Sequence, residues 1–124
     1  MTGAVRRMMV VEDDPGMSQA IERILRAGGL SPDVFASAEA ALEEGAALSA
    51  DCMVLDIHLP GMSGFDLYRR LRSDGDERPV VFITAHDEPS VREEAKSIGA
   101  GSYLPKPFSG RALLELVTDA ITAD

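Results

Sequence analysis

Five times in 124 residues, a short apolar run of strand length is followed by a turn signal and then by apolar residues at helical spacing. This alternation limits the chain to a small set of folds. Met8 to Val11 is the first run; Asp14 and Pro15 then read as an N-cap and first helical position. Met17, Ala20, Ile21, Ile24 and Leu25 follow at helical spacing, and Gly28-Gly29 ends the helix. A second strand is expected around Asp33 to Ala36, after which Ser37 caps an alanine-rich helix through about Leu48. Cys52 to Asp56 is the third strand, and the loop Leu59 to Gly64 leads into a helix carrying Leu67, Tyr68 and Leu71. Pro79 introduces the fourth strand, Val80 to Thr84; Val91, Ala95 and Ile98 mark the next helix, stopped by Gly99. Ser102 to Pro105 is a short fifth strand, and Ser109 caps a last helix through about Ile121.

Continuous apolar strands alternating with helices imply a parallel sheet covered on both faces. Right-handed crossovers leave few topologies for a (βα)₅ chain. The leading one is the doubly wound α/β arrangement with five parallel strands in the flavodoxin-like order 2-1-3-4-5. No linker, repeat or composition break divides the chain, so one domain is expected over residues 1–124, with an ordered core of about 6–122.

Composition narrows the function class. Hydrophobic residues at 45% and charged residues at 27% suit a soluble core-forming domain. The apolar runs are too short to cross a bilayer. Arg6 and Arg7 precede only four apolar residues before Glu12, which fails as a signal peptide, so a cytoplasmic location is expected. The single cysteine, Cys52, opens an apolar strand and reads as a small core residue. A net charge of −9 speaks against gripping nucleic acid through a basic face. Only two lysines occur, Lys96 and Lys106.

In open parallel sheets, ligands bind beyond the carboxyl ends of the strands where the strand order reverses, here between the first and third strands. The first strand ends in Glu12-Asp13-Asp14, the third in Asp56, the fourth in Thr84 and the fifth in Lys106-Pro107. Carboxylates gathered on one rim repel each other unless a hard cation joins them, and Mg²⁺ takes one or two carboxylates together with water and phosphate oxygens. Thr84 can donate to a phosphoryl oxygen. Lys106 can pair with Asp56 at rest and with a phosphoryl oxygen afterwards. Asp14 reads as a helix cap alone. The combination points to Asp56 as an acceptor of a phosphoryl group.

Four segments carry a family resemblance over nearly the whole chain: Val10-Val11-Glu12-Asp13-Asp14-Pro15, Asp56 through Gly64, Ile83-Thr84-Ala85, and Gly99 through Phe108. With 28 residues from Asp56 to Thr84 and 22 from Thr84 to Lys106, the chain resembles the receiver domains of two-component response regulators, in the chemotaxis-regulator-like superfamily. The resemblance implies that Asp56 takes a phosphoryl group from a sensor histidine kinase, a phosphotransfer protein or a small donor such as acetyl phosphate. It implies Mg²⁺ held by Asp13, Asp56 and the backbone carbonyl of His58, with Glu12 acting mainly through water. Thr84 and Lys106 would contact the phosphoryl oxygens, with the Lys106-Pro107 bond cis. Such a domain catalyses only its own phosphorylation and dephosphorylation.

The same resemblance assigns a switch: Thr84 moves toward the phosphoryl group, Tyr103 turns inward, and the surface of the fourth helix, fifth strand and fifth helix changes. His58 and His86, two residues beyond Asp56 and Thr84, flank the mouth of the site and are expected to tune dephosphorylation. A flavodoxin-type FMN site is excluded because Glu12-Asp13-Asp14 would repel its phosphate. A haloacid-dehalogenase-type phosphatase is disfavoured because its second acid would stand where His58 does. A pseudo-receiver would have lost Asp56 or Lys106. The chain reads either as a stand-alone regulator acting by protein contact, with a phosphorylation-dependent homodimer open to it, or as a receiver excised from a DNA-binding regulator or hybrid kinase. The arginine-poor last helix places it nearer receivers joined to helix-turn-helix output than to winged-helix output.

Overall fold

The apolar runs become the strands of one parallel sheet, and the helical stretches cover it on both sides. A computed structural model describes residues 6–44, 50–99 and 102–122. Its elements in chain order are β1 (Arg7–Val11), α1 (Pro15–Ala27), β2 (Ser31–Phe35), α2 (Ala38–Glu44), β3 (Cys52–Asp56), α3 (Gly64–Ser73), β4 (Val80–Thr84), α4 (Pro89–Ser97), β5 (Ser102–Pro105) and α5 (Gly110–Thr122). The sheet has the order β2-β1-β3-β4-β5 with every pairing parallel, as the alternation implied. The expected continuation of α2 to Leu48 lies outside the described residues.

One strand is displaced from its expected place. β2 begins at Ser31 rather than Asp33 and ends at Phe35, so Pro32 lies inside it, level with Met8 of β1. Proline cannot donate to a ladder, but β2 is an edge strand paired only to β1, and an edge tolerates that loss.

Alternate strand residues face opposite layers. Met9, Val11, Met53, Leu55 and Phe82 join Ala38, Ala41, Phe65, Tyr68, Leu71 and Ala95, packing α2, α3 and α4 on one side. Met8, Val10, Cys52, Val54, Val81 and Ile83 join Ile21, Leu25, Leu113 and Val117, packing α1 and α5 on the other. Every residue of central strands β3 and β4 is buried. Cys52 is fully buried among these side chains, and burial pushes its thiol up to about 12, which makes it inert packing.

The caps set where the chain leaves the carboxyl rim. Asp14 Oδ2 accepts from the Met17 amide at 2.8 Å with Pro15 in the first turn, so Asp14 caps α1. Ser37 and Ser109 accept from the Ala40 and Ala112 amides in the same way. Ser63 and Asp66 form a reciprocal capping box at α3. No helix among the described residues is long and apolar enough to cross a membrane.

Candidate functional site

Parallel register decides which side chains meet at the carboxyl rim. Val11 pairs with Leu55, so Glu12 and Asp56 emerge level from β1 and β3. Asp56 pairs with Ile83, which sets Thr84 one residue beyond it on β4. Thr84 pairs with Pro105, and its carbonyl accepts from the Lys106 amide at 2.7 Å, which brings Lys106 to the same rim. The Lys106-Pro107 bond is cis. Glu12, Asp13, Asp56, Thr84 and Lys106 are thereby gathered from the ends of four strands.

Lys106 ties the two buried carboxylates together. Its Nζ stands 2.8 Å from Glu12 Oε1 and 3.4 Å from Asp56 Oδ2. The nearer partner is Glu12, not the Asp56 that sequence alone suggests. Glu12 is only 2% exposed and its other oxygen accepts from the Asp14 amide at 3.1 Å. Burial pushes the Glu12 carboxyl up to about 7; the hydrogen bonds from Lys106 and the Asp14 amide pull it down, and the charge of Asp56 adds to the rise. Burial draws the Lys106 ammonium down, but its hydrogen bond to Glu12 and the charges of Asp56 and Glu12 outweigh that and hold it above the usual lysine value. Asp13 is exposed, and one carboxylate oxygen each from Glu12, Asp13 and Asp56 lie within 4.8 Å of one another. Such an all-oxygen anionic set fits a hard divalent cation.

Thr84 is fully buried, and its Oγ1 accepts from the His86 amide at 2.9 Å. Asp56 Oδ1 accepts from the His58 amide at 3.2 Å. Tyr103 is not folded toward Thr84. Its hydroxyl donates to Asp87 Oδ1 at 3.0 Å, Asp87 receives two bonds from Arg92 at 2.7 and 2.6 Å, and the Arg92 guanidinium lies 5.6 Å from the Tyr103 ring centre. Burial and then the Asp87 hydrogen bond raise the Tyr103 phenol above its usual value.

Two features escape a reading of the motifs. A Cβ on Gly64 would come within 2.2 Å of the Asp56 carbonyl oxygen, so the start of α3 presses on the acceptor strand and only glycine fits there. The motif included Gly64, yet the contact is visible only once α3 is seated. The Asp87–Arg92 pair that holds Tyr103 has no sequence signal, since a five-residue spacing marks no helix face.

The family profile described as response regulator receiver domain matches residues 8–118. Response regulator MprA of Mycolicibacterium vanbaalenii is 37% identical over 108 residues, covering 87% of this chain and 47% of that protein. Response regulator protein TmoT of Ectopseudomonas mendocina is 33% identical over 112 residues, covering 90% of this chain and 51% of its own. The chain therefore spans about half the length of these curated relatives. Among solved structures, the chemotaxis protein CheY4 of Vibrio cholerae superposes with a TM-score of 0.87 at 24% identity, over 94% of this chain and 99% of the other, a likeness of fold.

Proposed function

This chain belongs to the family of response regulator receiver domains of two-component systems, and we propose that it works by accepting a phosphoryl group on Asp56. One observation supports this above the others: Lys106 Nζ lies 3.4 Å from Asp56 Oδ2, in a rim where Asp56, Glu12 and Asp13 stand ready to share a cation. A buried carboxylate so flanked suits nucleophilic attack on phosphorus better than a structural role.

In the proposed reaction an Asp56 oxygen forms a bond to the phosphorus of a phosphohistidine, carried by a sensor histidine kinase or phosphotransfer protein. The phosphorus–nitrogen bond breaks, and its electron pair leaves with the imidazole. Glu12, Asp13 and Asp56, with the backbone carbonyl of His58, would hold Mg²⁺, whose charge offsets that of the phosphoryl oxygens. Lys106 remains cationic at neutral pH and exchanges its Asp56 contact for a phosphoryl oxygen. Thr84 donates a hydrogen bond from its hydroxyl to another of these oxygens, and the same Oγ1 can go on accepting from the His86 amide. Acetyl phosphate can replace the protein donor.

The added charge of about −1.5 to −2 biases the loop that Thr84 and His86 share. Tyr103 then leaves Asp87 and turns inward, and the surface of α4, β5 and α5 changes for the partner. In the resting arrangement Asp87 and Arg92 hold Tyr103 outward, so releasing them is part of the switch. The His58 and His86 rings, in contact over the mouth, set how readily water reaches the phosphoryl group. This reading places the domain in the cytoplasm, gives it no nucleic-acid contact of its own and allows a homodimer on phosphorylation.

Incubation with acetyl phosphate and Mg²⁺ tests it. Intact-mass measurement is expected to show one added phosphoryl group, lost on Asp56→Asn and on chelation of the metal. Undiminished labelling of Asp56→Asn would move the acceptor elsewhere.

A further inference from the structure

The loop that leaves the rim after Asp56 is fastened at its feet by its own groups. The His58 amide donates to Asp56 Oδ1 at 3.2 Å, and the Gly64 amide donates to the Ile57 carbonyl at 2.9 Å. Leu59 is buried in the layer of α2, α3 and α4, and the ring of Pro60 fixes its φ. Gly61 is then the free joint, an exposed glycine at a φ of +74°. Across from that joint stands Glu39, in the first turn of α2. Its Oε2 accepts from the Met62 amide at 2.9 Å, a bond between residues 23 positions apart. A Cβ on Gly61 would lie 2.7 Å from the same oxygen, so the glycine makes room for the carboxylate as well as for the turn.

We propose that Glu39 is a positioning residue of the phosphoacceptor site: its carboxylate holds the loop after β3, and through it the His58 carbonyl, in the shape that takes a divalent cation. This role rests on the reading of Asp56 as phosphoacceptor. The grip comes from a fixed element, because Ala38 and Ala41 are buried and seat α2 in the same layer as Leu59. The Met62 bond, ahead of one from the Glu39 amide itself, holds the Glu39 carboxyl below the usual glutamate value although the side chain is exposed. With both feet of the loop tied beside Asp56, an anchor at Met62 removes the freedom that Gly61 leaves. A ligand set ordered in advance loses less entropy when it binds. Groups that orient metal ligands from outside contribute roughly 10–100-fold in affinity. Met62 lies four residues beyond His58, which puts Glu39 at the lower end of that range.

Titration with Mg²⁺ alone, followed by NMR through the backbone amides of the rim, tests this with no phosphoryl donor present. Glu39→Ala is expected to weaken Mg²⁺ binding by about 10-fold. In the metal-free protein it is expected to shift the His58 amide resonance as well as that of Met62. Glu39→Gln removes the charge but keeps an oxygen for the Met62 amide, and is expected to restore near wild-type affinity. Glu39 is exposed, and urea unfolding checks that both variants keep the fold. Equal losses in the two variants would make Glu39 a distant charge, and undiminished affinity in Glu39→Ala would make its bond a surface contact; either result overturns the proposal. Wild-type protein that bound no Mg²⁺ would overturn the reading of the rim, and this role with it.

Discussion

Glu12→Gln isolates the electrostatic cost of the rim. A glutamate lifted by burial from 4.5 to about 7 prefers its neutral form in the folded protein. Each pKa unit is worth about 1.4 kcal/mol, so the ionised side chain costs the fold on the order of 3 kcal/mol at pH 8. The sign follows from proton binding. Between pH 4.5 and 7 the folded chain holds a proton that the unfolded chain has lost, so stability falls as pH rises through that window. Below it both states are protonated and the penalty vanishes; above it the penalty is constant. Glutamine has the shape of the neutral acid and cannot ionise. It keeps an oxygen for Lys106, which now stands 2.8 Å from Glu12 Oε1, but sets an NH2 against the Asp14 amide that Oε2 accepts from, a loss that does not vary with pH. Urea unfolding of both proteins in EDTA at pH 5, 6, 7 and 8 measures the difference, and titrations common to the two cancel. The stability of the variant relative to the wild type is expected to rise by about 2–3 kcal/mol between pH 5 and pH 8. Mg²⁺ at pH 8 is expected to narrow the gap, because a ligand that binds only the folded carboxylate stabilises the wild type. A stability difference that stays constant from pH 5 to 8 would show that Glu12 is not a strained carboxylate, and the account of the rim would fail with it.

Gly64→Ala drives a methyl group into the Asp56 carbonyl, and is expected to cost roughly 1–3 kcal/mol in denaturant unfolding and to slow labelling by acetyl phosphate. A variant as stable as the wild type would show that α3 can shift freely. Asp87→Ala removes the acceptor of the Tyr103 hydroxyl, so the phenol is expected to titrate at lower pH, closer to an ordinary tyrosine, in an ultraviolet difference titration; an unchanged curve would remove Asp87 as the latch. Leu113→Ala opens a cavity in the layer between the sheet and α5, where Leu113 is fully buried, and is expected to cost about 2–5 kcal/mol by thermal or urea unfolding.

Much of the architecture is legible in the chain because its cause is local. A continuous apolar run such as Cys-Met-Val-Leu before Asp56 makes sense only as a strand buried on both faces, and β3 is that strand. Asp14-Pro15, Ser37 and Ser109 act on amides within three residues of themselves, so helix starts can be read from single positions. β2 is the exception. Pro32 argues for a later start, and that reading fails because tolerance of a proline depends on whether a second neighbour needs its amide. The gathering of Glu12, Asp56, Thr84 and Lys106 also follows from the strand order, since parallel strands place their carboxyl ends on one rim.

Those four strand ends and their chemical complementarity were determined by the sequence alone, because strand periodicity and right-handed crossovers admit so few arrangements. The distances were decided by the tertiary structure. Lys106 could be foreseen beside Asp56, but its closer approach to Glu12 depends on register across β1, β3, β4 and β5 and on how deeply each carboxylate is buried. So does the elevated pKa of Glu12, for desolvation is a property of the whole surrounding layer and not of any neighbour along the chain. Tyr103 turning out to Asp87, His58 meeting His86 and Gly64 pressing on Asp56 are contacts between separate strands, loops and helices. They exist only when the sheet sets those segments side by side, which is why no motif announces them.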